Sequence, residues 1–174
     1  SLDKNENFTK LSRKDALNEN DRIEFENNNI IGSISLKGAT IDDLTFKEYD
    51  VELSGNEKVT LLSPRNVDDG YIIESGFVTS NKNIDVPEAS TIWKISGNKR
   101  LTNNNPIKLT WNNSQGITFE KHISLDSQFL FIREVMALGE KNNPDTFKRV
   151  NVTHLGKFAT RDYMLKKYTG NSFV

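Results

Sequence analysis

Strict alternation of apolar and polar residues along residues 107–134 constrains this chain more than any other feature. Ile107, Leu109 and Trp111 fall on one side of an extended segment, with Lys108 and Thr110 on the other. After Asn112-Asn113-Ser114-Gln115-Gly116, a second run sets Ile117, Phe119, Ile123 and Leu125 against Thr118, Glu120, His122 and Ser124. A period of two marks half-buried strands, because successive side chains of a strand point to opposite faces. The Asn- and Gly-rich break tolerates the left-handed backbone that a tight reversal needs. The run Phe129-Leu130-Phe131-Ile132-Arg133-Glu134 follows a short Asp126-Ser127-Gln128 interruption. Together these segments predict an antiparallel meander, and they contain no evident reacting group.

The remainder of the chain repeats the pattern in shorter pieces. Residues 22–26 alternate, and residues 30–36 resume after Asn27-Asn28-Asn29 with Ile30, Ile34 and Leu36 on one face. A turn at Lys37-Gly38-Ala39 precedes a strand over 40–49 that carries Leu44 and Phe46 together. Further strands are expected at 59–62, stopped by Ser63-Pro64, at 71–78, at 91–95 and at 147–152. Gly76 inside the 71–78 segment points to a bulge or a close backbone approach. Residues 159–168 have moderate helix character without a clear apolar stripe. Eight to ten short strands with closely spaced turns and little helix predict an all-β fold, an antiparallel β-sandwich.

Residues 1–21 are polar. The spacing of Ser12-Arg13-Lys14-Asp15 allows a short capped helix near residues 15–18, but the apolar residues there are too few to offset ordering. A flexible lead-in over 1–21 is therefore expected, followed by a single domain over 22–174. There is no internal repeat and no linker-like stretch.

Composition narrows the function classes. Lys+Arg number 23 and Asp+Glu 24, for a net charge of -1, with no dense basic run. A nucleic-acid surface is disfavoured by that balance. Cysteine is absent, so disulfides, thiolate nucleophiles and cysteine metal sites are all excluded. No apolar run approaches the roughly 20 residues of a membrane-spanning helix. The chain begins at Ser1 without Met or a signal-peptide pattern, as an excised piece would.

Few residues are candidates for chemistry. His122 and His154 lie far apart in sequence and lack metal-ligand spacing, so a surface role is expected of His122. Asp42-Asp43 and Asp68-Asp69 are adjacent carboxylates. Neighbours in a strand face opposite ways, so turn and cap duty is expected of both pairs unless a bulge intervenes. Lys121 is discordant, because alternation sets it on the apolar face; a place where the strand leaves the core, or an outward-snorkelling stem, is the expected reading. A buried functional lysine is the sharper alternative. Trp93, Trp111 and the Phe129-Leu130-Phe131 segment are expected in the core rather than as a sugar-stacking platform. No glycine-rich phosphate loop or nucleophile elbow occurs.

Several segments resemble one family in order. The stretch Ile31-Gly32-Ser33-Ile34-Ser35-Leu36-Lys37-Gly38-Ala39-Thr40-Ile41-Asp42-Asp43-Leu44-Thr45 is similar to the opening of the large periplasmic domain of YidC, the bacterial membrane-protein insertase, especially in alphaproteobacteria. Thr60-Leu61-Leu62-Ser63-Pro64, then Gly76-Phe77-Val78, Thr91-Ile92-Trp93, Leu109-Thr110-Trp111-Asn112-Asn113 and Gln115-Gly116-Ile117-Thr118-Phe119 follow collinearly. The similarity runs over about 13–134, whereas residues 137–174 do not match the family's usual continuation.

The resemblance implies a β-supersandwich of the galactose-mutarotase type, and the departure after Glu134 sets the expectation that its C-terminal end is incomplete. It also implies a place on the periplasmic face of the inner membrane and a non-catalytic role accessory to membrane-protein insertion and folding. Implied partners are the membrane, nascent membrane proteins and Sec accessory components such as SecF and SecD. No cofactor, metal, catalytic residue or small-molecule substrate is implied. Two other readings share the fold: a mutarotase-like or carbohydrate-binding protein, and a free-standing periplasmic binding or scaffold protein. A mutarotase needs a general acid and base facing one sugar, which His122 and His154 alone are poorly placed to supply.

Overall fold

The computed structural model describes residues 10–127, apart from 54, 78, 80 and 81, together with the backbone strand Phe131–Leu138. The expected strand at 147–152, the helical segment at 159–168, His154, Phe129 and Leu130 lie outside the described residues.

Nine strands and one short helix are described. In chain order they are α1 (Arg13–Leu17), β1 (Arg22–Glu26), β2 (Ile30–Ser35), β3 (Thr40–Asp50), β4 (Lys58–Leu62), β5 (Lys94–Ser96), β6 (Arg100–Leu101), β7 (Ile107–Asn112), β8 (Thr118–Leu125) and β9 (Phe131–Leu138). They form two sheets, one ordered β4-β3-β2-β1-β6 and the other β5-β7-β8-β9. All pairings are antiparallel except β1 with β6, where Glu24 pairs with Arg100 and Phe25 with Leu101 in parallel. The expected antiparallel β-sandwich is therefore observed.

The meander forms as the alternation requires. Ile107 pairs with Ile123, Leu109 with Lys121 and Trp111 with Phe119, and β9 continues the sheet from Phe131 opposite Leu125 to Leu138 opposite Thr118. Between the sheets, Ile23, Phe25, Ile30, Ile34 and Leu44 of the first pack with Ile107, Leu109, Phe119, Ile123 and Leu125 of the second in one continuous core. Trp93 and Phe77 seal one end, their rings stacked at 6.2 Å, and Phe77 meets Phe119 edge-on at 4.9 Å. The expectation of a core Trp93 is met. Trp111 is half-buried and leans on Phe119 at 5.4 Å.

Three local features differ from the sequence expectation. Residues 71–78 make no strand among the described residues; their backbone forms isolated bridges, Ser63 with Tyr71 and Ile41 with Ile73. The two-residue β6 has too short a pattern to read, yet it carries the chain from the second sheet back to the first. Within the stretch expected as a flexible lead-in, α1 forms where the Ser12 spacing allows. The Ser12 side chain accepts from the Asp15 backbone N–H, and Ala16 is buried.

Candidate functional site

Lys121 lies at the base of a cleft lined by the β2–β3 turn, the 74–77 segment and Trp93. Its place in β8, between Phe119 and Ile123 on the inward face, follows from the period of two. The side chain neither snorkels nor leaves the core, and the residue is only 1% exposed. Its Nζ donates to the carbonyl oxygens of Gly38 at 3.0 Å and Ser75 at 2.9 Å, and it stands 4.6 Å from the centroid of the Trp93 ring. A buried ammonium is tolerated only when its protons and charge are met, and two carbonyls with an aromatic face meet that need here. The expected reading is thus corrected: Lys121 is a buried clip that ties the second sheet to the β2–β3 turn and to the irregular 71–77 segment.

The turn is shaped to offer its carbonyl. Gly38 and Ala39 both have positive φ, 71° and 51°. A Cβ on Gly38 would also stand 2.8 Å from the Ala89 carbonyl oxygen, so the position takes glycine for conformation and space together. Gly38 N–H donates to the Thr91 carbonyl and Trp93 N–H to that of Leu36, which lays the 91–93 segment along the turn.

Above Lys121 the cleft encloses about 230 Å³. Phe77, Pro87 and Trp93 supply apolar wall, and Glu74 and Glu88 stand among its lining residues. The Trp93 indole N–H and the Ser75 hydroxyl, both in residues that line this cleft, are buried without a hydrogen-bond partner among the described residues. The indole N–H can only donate, whereas the Ser75 hydroxyl can donate or accept.

A second cluster lies on the outward face of the first sheet. The β2–β3 register slips between Ser33 and Ile34, which pair with Asp43 and Ile41, so Asp42 is the extra residue of a bulge. Asp42 pairs with Arg22, and Asp43 with Arg13. Ser33 joins the two pairs, accepting from Arg22 Nε at 2.7 Å and donating to Asp43 at 2.6 Å. The two neighbouring carboxylates thus enter one network, which corrects the expectation of turn and cap duty for this pair. Burial pushes the Asp42 carboxyl above its ordinary value, while the Arg22 guanidinium opposes that rise. Beside this network lies an open groove of about 380 Å³, with Arg13, Arg100 and Ile31 in its lining. Asp68-Asp69 does sit in a turn, with Asp69 at φ 55° and Asp68 paired to Lys10.

His122 is on the face of β8 opposite Lys121. Its Nε2 lies 2.8 Å from Glu120, which also accepts from Lys108 at 3.0 Å. The hydrogen bond from His122, seconded by Lys108, holds the Glu120 carboxyl below its ordinary value against the effect of burial. This cluster sits around a buried Glu120 on the opposite face of β8, and none of its residues lines the Lys121 cleft. Among the described residues no three His, Asp or Glu side chains converge as a metal site would require.

The fold and cleft define an antiparallel β-sandwich domain whose interior is tied by the Lys121 clip. The family model described as the YidC periplasmic domain matches residues 22–172, past the point near Glu134 where the motif-by-motif resemblance ends. The chain is 78% identical over 131 residues to the membrane protein insertase YidC of Pelagibacter ubique, covering 75% of this chain and 24% of that protein. It is 38% identical over 124 residues to the YidC of Allorhizobium ampelinum, covering 71% of this chain and 20% of that protein. With the YidC of Rickettsia bellii it shares 36% over 163 residues, covering 85% of this chain and 29% of that protein. The chain belongs to the YidC periplasmic domain family. It spans between a fifth and a quarter of the length of the first of these curated relatives. Among the described residues no helix is long and apolar enough to cross a membrane.

Proposed function

We propose that this chain is the periplasm-facing portion of a YidC-type insertase of the inner membrane, acting as a non-catalytic accessory to membrane-protein insertion and folding. The observation that carries this reading is the collinear match over residues 22–172, joined to 78% identity with a stretch of one such insertase. A catalytic role finds little support in the geometry. Lys121 is committed to main-chain carbonyls, and the His122–Glu120 pair lies on the face of β8 opposite the Lys121 cleft. Its partners on this reading are nascent membrane proteins at the membrane surface and the Sec accessory components SecD and SecF.

The test compares two forms of the full-length insertase in cells depleted of their own, one intact and one lacking the segment 22–138. Insertion of a test membrane protein is read by protease protection, and SecD and SecF are read by copurification. The expected result is that the shortened form keeps at least half of the insertion while copurification drops severalfold. Loss of all insertion by a shortened form that still accumulates in the membrane would overturn the accessory role.

A further inference from the structure

We propose that the projecting end of the β3–β4 hairpin is a docking element for another protein, one that presents an apolar pocket rimmed by lysine or arginine. β3 pairs with β2 only from Thr40 to Phe46. Beyond that point it continues with β4 alone, closing through the Asp50–Lys58 pair and the Val51 N–H to Glu57 carbonyl bond. The result is a two-stranded ribbon that reaches past the sheet.

This ribbon carries apolar side chains left largely in water, the Tyr49 ring meeting Phe46 edge-on at 5.5 Å at its base. Tyr49 is 56% exposed, Val51 58% and Leu53 111%. Tyr49, Val51 and Leu53 alternate in sequence with Glu48, Asp50 and Glu52 toward the tip, so exposed apolar and acidic side chains are interleaved there. A short ribbon in water gains nothing from such side chains, and exposed apolar residues gathered at one tip mark an interaction site.

Charge selects the occupant. Residues 47–58 hold Glu48, Asp50, Glu52 and Glu57 against Lys47 and Lys58. Both lysines are already engaged, Lys47 with Glu26 and Lys58 with Asp50. Glu48, Glu52 and Glu57 form no ion pair among the described residues. An anionic bilayer surface would repel this tip, since interfacial anchors pair their apolar residues with lysine and arginine. A second copy docked symmetrically would bring carboxylates onto carboxylates. A protein surface with basic residues around an apolar pocket satisfies both kinds of side chain on the ribbon.

The test places a benzophenone amino acid at Leu53 in the full-length insertase in its native membrane. Irradiation is expected to give an adduct with one protein, mapped to an apolar patch flanked by lysine or arginine. That adduct should fall at least tenfold when Glu48, Glu52 and Glu57 are all changed to Lys, while the melting curve of the purified variant stays unchanged. Flotation with phosphatidylglycerol and with phosphatidylcholine vesicles reads the membrane alternative. An adduct to lipid, an adduct only to a second copy, an adduct indifferent to the charge reversal, or no adduct would each overturn the proposal.

Discussion

The ammonium of Lys121 lies over the ring of Trp93, 4.6 Å from its centroid, inside a core that also contains Phe77 and Phe119. The pair joins opposite parts of the fold, because Lys121 belongs to β8 and Trp93 to the segment laid along the β2–β3 turn. Lys121→Met keeps most of the volume but withdraws the donors from the Gly38 and Ser75 carbonyls. Leaving such acceptors unmet costs about 1–3 kcal/mol, so the variant should melt several degrees lower. Its tryptophan emission should also shift, because the charge above the indole is gone. Thermal melts followed by fluorescence check both, and an unchanged melting temperature would remove Lys121 as the clip.

The bulge at Asp42 yields a graded pair of outcomes. Arg13 is partly exposed, so Arg13→Ala should cost about 1 kcal/mol or less, with its effect confined to lost amide protection in α1. The Arg22–Asp42 pair is more enclosed, its side chains 12% and 13% exposed. Removing Arg22 leaves a carboxylate uncompensated, and Arg22→Ala should cost about 3 kcal/mol at neutral pH. An acid raised above its unfolded value of 3.8 holds a proton in the folded state that the unfolded state releases. Its contribution is therefore best at low pH and declines as pH rises toward the folded value. Arg22→Ala raises that value further, so its deficit should shrink as the pH is lowered toward 4. Urea unfolding at several pH values checks the sign.

These two sites show where the sequence is legible and where it stops. Alternation in residues 107–125 specifies which side chains enter the core, because a strand's period is fixed and a slip of one residue would expose the whole set. That same parity points Lys121 inward; what it cannot supply are the acceptors, since Gly38 and Ser75 lie 83 and 46 residues away. The Asp42 network was hidden for a related reason. A bulge is a property of two strands in register, and one strand read alone sets Asp42 and Asp43 on opposite faces. The parallel β1–β6 contact is two residues long, below the length at which any periodicity exists.

Glu120 gives the chain an acid-sensitive contact on the outward face. Its carboxyl is held below the ordinary 4.5, first by the His122 hydrogen bond and then by Lys108. A depressed acid contributes stability above its unfolded value and loses it as pH falls through the folded one. His122→Ala removes the largest lowering influence, so the folded value rises and the protection shrinks to what Lys108 supplies. The midpoint of acid unfolding, followed by circular dichroism, should move to higher pH in His122→Ala. A midpoint unmoved by that substitution would sever Glu120 from acid stability.

Gly32 and Gly76 provide a contrast that tests the packing directly. A Cβ on Gly32 would stand against the Asp43 carbonyl oxygen and 2.6 Å from Cζ of Phe25, so the close β2–β3 approach beside the bulge has no room for it. Gly76 has nothing within 4 Å of the same position, and its conformation lies outside the positive-φ region. Gly32→Ala must push apart a backbone carbonyl and a fully buried ring, at about 1–3 kcal/mol or more for an overpacked site. Gly76→Ala should stay within about 0.5 kcal/mol of the parent, as for other substitutions away from packed features. Chemical denaturation of the two variants side by side separates them, and equal midpoints would mean that the β2–β3 approach is looser than this packing requires.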